Sequence, residues 1–127
     1  MIVAFSGSRD FTDEVAVLVA LRGVAKQDAT IHVGDARGLD RMVKVACDRI
    51  GIPCVVHVAD WEHEGRAAGF RRNARMIASR PDRLIAFYGP SGETKGTTHT
   101  VNLAIKAGIP VLVYHETTKQ WHKWSVG

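Results

Sequence analysis

The 127-residue chain has little cysteine, few aromatic residues and no long apolar run, and each shortage closes off a class of function. Cys47 and Cys54 match no zinc or redox spacing, and they read as reduced, small apolar side chains in a helix and the strand after it. Met1-Ile2-Val3-Ala4-Phe5-Ser6-Gly7 is too short and lacks the charged lead of a signal peptide, so it reads as a first strand. No apolar run approaches the ~20 residues that cross a bilayer, so a cytoplasmic location and no membrane partner are expected. The six histidines are scattered without a His-x-x-x-His pair, so neither a metal nor any other cofactor is expected. At 7% the aromatics are too sparse for the stacking platforms of single-strand nucleic-acid binders, which makes that partner a secondary alternative.

The remaining composition is that of one globular domain, 46% hydrophobic and 24% charged, long enough to bury roughly two-thirds of its unfolded surface. A net charge of +4 favours anionic partners without choosing among them.

In chain order, residues 2–5 form a short apolar strand, and Thr12 or Asp13 caps a helix to about Lys26 whose apolar face includes Leu18, Leu21 and Val24. A second strand at 29–33 meets Gly34-Asp35-Ala36-Arg37-Gly38-Leu39-Asp40, and a second helix follows with Leu39, Met42, Val43, Ala46, Cys47 and Ile50 at three- and four-residue steps. Gly51 stops that helix and Pro53 prevents its return. A third strand is expected at 54–58, a third helix at about 67–79, a fourth strand at 83–87 and a fifth at 111–114. Between the last two, a loop spaced by Gly89, Gly92 and Gly96 leads into a helix that Thr97 or Thr98 is expected to cap. Strict alternation of strand and helix with near-continuous apolar strands predicts a three-layer Rossmann-like α/β domain with a five-stranded parallel sheet in the order 3-2-1-4-5. Residues 1–114 make up this domain, and 115–127 read as a polar tail carrying Trp121 and Trp124.

A parallel sheet sends every strand-to-helix loop to one carboxyl edge, where ligands of open α/β sheets bind. Here that edge receives Gly7-Ser8-Arg9, the 34–40 loop and the 89–98 loop, the first and third facing each other across a crevice. Free helix amides, Gly89, Gly96, Thr97 and Thr98, with Arg9 and Arg37, make an anion site in which arginine grips phosphate bidentately. The 89–98 loop is neither a Walker A loop, since Lys95 precedes Gly96, nor the spaced glycine fingerprint of dinucleotide folds. Asp40 serves either as a dipole partner in the first turn of its helix or as a bond to a ribose hydroxyl. Trp61 either stacks on a base or covers the sheet edge. Arg66, Arg71, Arg72, Arg75 and Arg80 form a positive patch that is either a solvated face or, with Asn73 among them, partly turned to the ligand mouth.

Six ordered motifs then carry a family resemblance: Gly7-Ser8-Arg9-Asp10, Gly34-x-x-x-Gly38-x-Asp40-Arg41, Asp60-Trp61, Gly65-Arg66-Ala67-Ala68-Gly69, Arg72-Asn73-x-x-Met76 and Lys95-Gly96-Thr97. The chain resembles the YspA-like branch of the SLOG superfamily, a Rossmann-like group that includes the Lonely Guy cytokinin-activating proteins and the DNA-uptake protein DprA. The resemblance spans residues 1 to about 114. It implies a pocket for a nucleotide or nucleotide-derived ligand at these loops, in a branch proposed to act in nucleotide signalling and in conflict between bacteria and mobile elements. It also implies a homo-oligomer, because Lonely Guy proteins complete their pockets by dimerising; Trp121 and Trp124 in the polar tail are either its anchor, since aromatics are over-represented at interfaces, or part of a floppy terminus. Lonely Guy enzymes hydrolyse the N-glycosidic bond of nucleoside monophosphates and carry an acidic residue shortly after the Gly-Thr pair. Here His99 and Thr100 follow Thr98, and the substitute carboxylates are Glu93, Asp40 and Asp60. His99 can act as a base but not as a counter-anion to an oxocarbenium-like species. The reading therefore favours a sensor or sequestering protein over a phosphoribohydrolase, and assigns no catalytic residue.

Overall fold

A computed structural model of the chain describes residues 1–124, Trp124 by its backbone alone. The elements run β1 (Ile2–Gly7), α1 (Glu14–Ala25), β2 (Thr30–Val33), α2 (Leu39–Ile50), β3 (Cys54–Val56), α3 (Trp61–Glu64), a single 3-10 turn (Gly65–Ala67), α4 (Ala68–Ala78), β4 (Arg83–Tyr88), α5 (Lys95–Lys106), β5 (Val111–His115) and β6 (Gln120–Trp124). They form one sheet in the order β3-β2-β1-β4-β5-β6, with β1 to β5 parallel and β6 antiparallel to β5.

The two-residue period of the strands divides the core between the two faces of the sheet. Val3, Phe5, Ile31, Val33, Ile85 and Phe87 pack under α1 and α2 with Val17, Leu21, Leu39 and Val43. Their neighbours Ala4, Leu84, Ala86, Val111 and Val113 pack under α4 and α5 with Met76, Ile77, Val101 and Ala104. A strand buried on both sides can afford no polar alternation, which is why these runs read as continuously apolar. Each of the larger side chains so buried contributes about 1.5–3 kcal/mol.

The expected order 3-2-1-4-5 is present, but the strand count is six, and the segment read as a tail supplies the sixth. Lys119 adopts a left-handed φ of 56° and closes the turn by donating its amide to the His115 carbonyl at 2.8 Å. β6 then runs back along the edge, where alternate residues face water and polar side chains are tolerated. Trp121 turns inward, its ring centroid 4.7 Å from Tyr114 and 5.7 Å from Phe87, so it packs half-buried on its own sheet. The side chain of Trp124, the other candidate for an oligomer anchor, and residues 125–127 lie outside the described residues.

The β5–β6 turn is fastened to α1. Asp13 caps α1 by accepting from the Ala16 amide at 3.3 Å, and it also accepts from the Tyr114 hydroxyl and, at 3.0 Å, from Lys119 Nζ. The hydrogen bond from Tyr114 holds the Asp13 carboxyl below its ordinary range, and burial beside that carboxylate pushes the Tyr114 hydroxyl up to about 12. Glu116 accepts from the Thr12 and Asp13 amides at 2.8 and 3.1 Å, meeting helix-start donors from more than a hundred residues away in sequence. Among the described residues no helix is long and apolar enough to cross a membrane.

Candidate functional site

The β1–α1, β2–α2 and β4–α5 loops meet at the carboxyl edge, where β1 lies between β2 and β4. Ser8 knots them together. Its amide donates to the Phe87 carbonyl at 3.0 Å, its carbonyl accepts from the Leu39 and Phe11 amides, and its hydroxyl accepts from the Gly89 amide at 3.2 Å. The glycines make this knot possible. A Cβ on Gly7 would strike Leu39, one on Gly34 would strike Asp40 and the Arg72 guanidinium, and one on Gly89 would strike Asp10. Gly38 has φ +73°, and a Cβ there would run into the Arg9 and Ser8 carbonyls. Three loops can thus pack almost backbone to backbone.

What this packing leaves open is a cavity of about 410 Å³, bounded by Ser6 to Asp10, by Gly34, Ala36 and Asp40, by Trp61, by Arg66 and the inner face of α4, and by Ser91, Thr94, Gly96 and Thr97. A volume of this size falls in the ~300–1,000 Å³ range of small-molecule sites.

A polar chain crosses the cavity wall. Arg72 is only 7% exposed, and its Nη1 donates to Asp35 Oδ1 at 2.5 Å while its Nε donates to Asn73 Oδ1 at 2.9 Å. Asp35 also accepts from the Ala59 amide at 3.2 Å, and Asn73 reaches the Gly96 carbonyl at 3.4 Å. The chain ties the segment after β3, the 34–40 loop, α4 and the first turn of α5 into one frame. A guanidinium has five donors; among the described residues the protein's own bonds use only Nε and Nη1 of Arg72 and leave Nη2 without a partner.

Asp40 is the second buried charge. It accepts from the Ala36 amide at 3.1 Å, and burial pushes its carboxyl up to about 6 despite that bond and the positive charges of Arg72 and Arg9. A carboxyl in this range exchanges its proton near neutrality, which few acids do without desolvation. Arg9 is exposed at the mouth of the cavity, as is Arg66. Asp10 clamps the opposite rim by accepting from the Ser91 amide at 3.0 Å and from its hydroxyl, and the Ser91 hydroxyl bond lowers the Asp10 carboxyl.

The start of α5 corrects the expected caps. The helix begins at Lys95 with Thr94 as N-cap, so Thr97 and Thr98 are helical residues and not caps. The Thr94 hydroxyl makes no capping bond and donates instead to the Thr97 hydroxyl at 3.3 Å. No side chain therefore covers the first amides of α5, and Gly96, with nothing within 4 Å of where its Cβ would stand, opens them to the cavity.

Of the residues the sequence singles out, Gly7, Ser8, Arg9, Gly34, Asp40, Trp61, Arg72, Asn73, Gly96 and Thr97 line this one cavity. Arg37, Gly38, Gly89 and Thr98 do not. Arg37 is exposed outside it, Gly38 and Gly89 serve loop packing, and the Thr98 hydroxyl meets the Tyr88 hydroxyl at 2.7 Å. Trp61 opens α3, half exposed, with its ring 3.5 Å from where a Gly69 Cβ would lie. The arginine patch divides: Arg66 and Arg72 line the cavity, while Arg71 and Arg75 pair with Glu64 at 3.7 and 3.2 Å on a solvated face. Of the three substitute carboxylates only Asp40 borders the cavity, since Asp60 caps α3 through the His63 amide and Glu93 is exposed. His99 does not reach it and lies edge-on to Phe70 at 4.7 Å. Sequence reasoning missed Phe70 and Met76 as lining residues. The signal was available, because both lie within one helical turn of the Arg72-Asn73 pair, on the face that pair presents. Among the described residues no cluster of three or more His, Cys, Asp or Glu is placed to hold a metal ion.

The family model described as YspA, cpYpsA-related SLOG family matches residues 1–63, which hold β1, β2 and the two loops that follow them. The Gene 61 protein of Mycobacterium phage D29 is 34% identical over 119 residues, covering 87% of this chain and 93% of that protein.

Proposed function

We propose, since this chain belongs to the YspA, cpYpsA-related SLOG family, that it binds a nucleotide or nucleotide-derived small molecule and acts as a sensor or a sequestering protein. One observation carries the reading: the uncovered first amides of α5, the spare donors of Arg72 and the exposed Arg9 border the same cavity as an aromatic side chain, Trp61. A phosphate sits against the amides of Lys95, Gly96 and Thr97, where unpaired N–H groups and the helix dipole favour negative charge. Arg9 closes over it. The base lies toward Trp61 and Phe70, and the sugar lies beside Asp40, which accepts from a ribose hydroxyl. The frame from Asp35 through Arg72 and Asn73 to Gly96 holds these groups in place before any ligand arrives, which lowers the ordering cost of binding.

Thermal-shift titration against a nucleotide panel tests the proposal. A ligand at about 100 times its dissociation constant adds roughly 2.7 kcal/mol of stability, and Arg9→Ala abolishes that shift while leaving the unliganded midpoint in place. A panel that moves nothing, or a shift that Arg9→Ala leaves intact, refutes it.

A second reading, hydrolysis of a nucleoside monophosphate at its N-glycosidic bond, is favoured by the position of Asp40. It places a carboxylate in the cavity of a chain that has none after Gly96-Thr97-Thr98. Such a group, ionised above about 6, stabilises the oxocarbenium-like species of that reaction. Chromatography for free base distinguishes the two readings: release that Asp40→Asn abolishes makes the protein an enzyme, and no release across the common monophosphates leaves it a binder.

A further inference from the structure

Two imidazoles 25 residues apart in sequence face each other where β2 and β3 lie side by side. In β2, Ile31 and Val33 point under α1 and α2, so His32 between them points to the opposite face, toward the end of α4. His57 follows β3 directly, and its amide donates to the Val33 carbonyl at 2.8 Å, which seats its ring beside His32. His32 Nδ1 and His57 Nε2 are 2.9 Å apart, with the ring centroids at 5.0 Å. Neither ring lines the cavity at the carboxyl edge. Both are half-buried, and Val55, the register partner of His32, is 44% exposed, so water reaches this flank.

Two nitrogen lone pairs at this distance repel unless something positive lies between them. Ser79 shows which ring carries the hydrogen. Its hydroxyl donates to the Met76 carbonyl at 2.5 Å, so toward His32 Nδ1, 3.4 Å away, its oxygen can only accept. The hydrogen between the rings therefore belongs to His32 Nδ1, and His57 Nε2 turns a lone pair toward it. Moving that hydrogen to His32 Nε2 is a change of tautomer with no proton lost, and it leaves two lone pairs converging on one point. A metal ion about 2.0–2.1 Å from each nitrogen sets neighbouring ligands of a square plane about 2.9 Å apart and those of a tetrahedron about 3.3–3.4 Å apart. The observed spacing is the first of these.

We infer that His32 Nδ1 and His57 Nε2 form a metal site for a divalent ion of square-planar or tetragonal preference, Ni²⁺ or Cu²⁺, with water in the remaining positions. Burial lowers the pKa of both imidazoles, and the charges of His32, Arg72 and Arg75 lower that of His57 further, so the rings are largely neutral ligands at pH 7. The two guanidiniums oppose a cation only weakly, because Asp35 and Glu64 pair with them. No spacing motif reveals the pair, since its members come from neighbouring parallel strands and not from one helix.

Calorimetric titration of the metal-free full chain with Ni²⁺ at pH 7 tests the site. One ion per chain is expected, with affinity lower by ~10-fold or more in His32→Ala and in His57→Ala. His122→Ala is expected to leave it unchanged, although His122 and His115 also bring their rings together, with centroids 5.5 Å apart. Zn²⁺, which prefers a tetrahedron, should bind more weakly than Ni²⁺. The unaltered chain gives a reading that no variant's folding can disturb: with Cu²⁺ it should show an axial electron paramagnetic resonance spectrum coupled to two nitrogens. Absence of saturable binding overturns the inference. Binding that survives both His32→Ala and His57→Ala, or that His122→Ala removes, also overturns it, since the ion is then adventitious on other histidines. Zn²⁺ held more tightly than Ni²⁺ overturns the square-planar assignment.

Discussion

Replacing Asp40 by Asn removes a charge from a position only 5% exposed to water, and the consequence is measurable without any ligand. Burial raises the folded-state carboxyl from 3.8 to about 6, so the folded chain holds the Asp40 proton more tightly than the unfolded chain does. The favourable contribution of the protonated group is complete below 3.8. It is lost as pH rises toward 6, because the unfolded chain gains free energy by ionising while the folded chain lags. A gap of about two units corresponds to roughly 3 kcal/mol once both states are ionised. Roughly half of this is already lost at pH 5, so between pH 5 and pH 8 the wild type should lose on the order of 1 kcal/mol relative to Asp40→Asn, which has nothing to titrate there. Urea unfolding of both proteins at several pH values measures the difference, and groups that titrate alike in both cancel. A difference that is flat across this window, or one in which the wild type gains with rising pH, would refute the claim that Asp40 is a desolvated acid. Under the proposed function the same group gives a second signature. An anion bound nearby favours the protonated carboxyl, so wild-type affinity falls from pH 6 to pH 8 and that of Asp40→Asn does not.

Other perturbations follow from the same packing. Gly38→Ala places a Cβ against the Arg9 carbonyl at a backbone conformation that suits glycine alone, and should cost about 3 kcal/mol by urea denaturation. Arg72→Met leaves Asp35 without its cation and Asn73 without its donor. A loss of about 2–3 kcal/mol is expected, less than for a sealed ion pair because Asp35 keeps some water, and carbon-13 NMR of Asp40 should show its titration moving further up. Trp121→Ala strips the inward ring from β6 and should lower stability by about 2 kcal/mol, with faster amide exchange in β5 and β6 than in β1.

Five of the six strands were legible because a doubly covered parallel sheet demands unbroken apolar runs, three of which run into glycine at Gly7, Gly34 and Gly89. The Gly51–Pro53 stop, which separates α2 from β3, was legible for a similar reason: Gly51 takes φ +79°, and its amide returns to the Cys47 carbonyl at 2.9 Å. β6 obeys different physics. An antiparallel edge strand needs one inward residue in two, and Gln120-Trp121-His122-Lys123 supplies one tryptophan among polar side chains, which in one dimension looks like a tail. The start of α5 was misplaced for a related reason. Thr97 and Thr98 have the chemistry of caps, but the helix starts at Lys95 with Thr94 as N-cap, whose hydroxyl meets Thr97 and Ser8 and leaves the first amides uncovered.

The glycines show most clearly where reading in one dimension stops. Spaced glycines beside arginines suggest a backbone laid open for a ligand, and that holds for Gly96, whose surroundings are empty. Gly7, Gly34 and Gly89 occupy the same kind of position for a different reason, each filled at once by a side chain or backbone from another loop. The difference is tertiary. Leu39 reaches Gly7 because α2 starts where Ser8 accepts its amide, and Arg72 reaches Gly34 from a helix almost forty residues away. Removing these Cβ atoms lets three loops close on one another, and their closure buries Asp40 and Arg72 side by side at the cavity wall. The raised pKa of Asp40 and the spare donors of Arg72 thus follow from glycines whose role is to let the loops pack. On this reasoning Gly34→Ala should disturb the Asp40 titration at least as much as it disturbs binding.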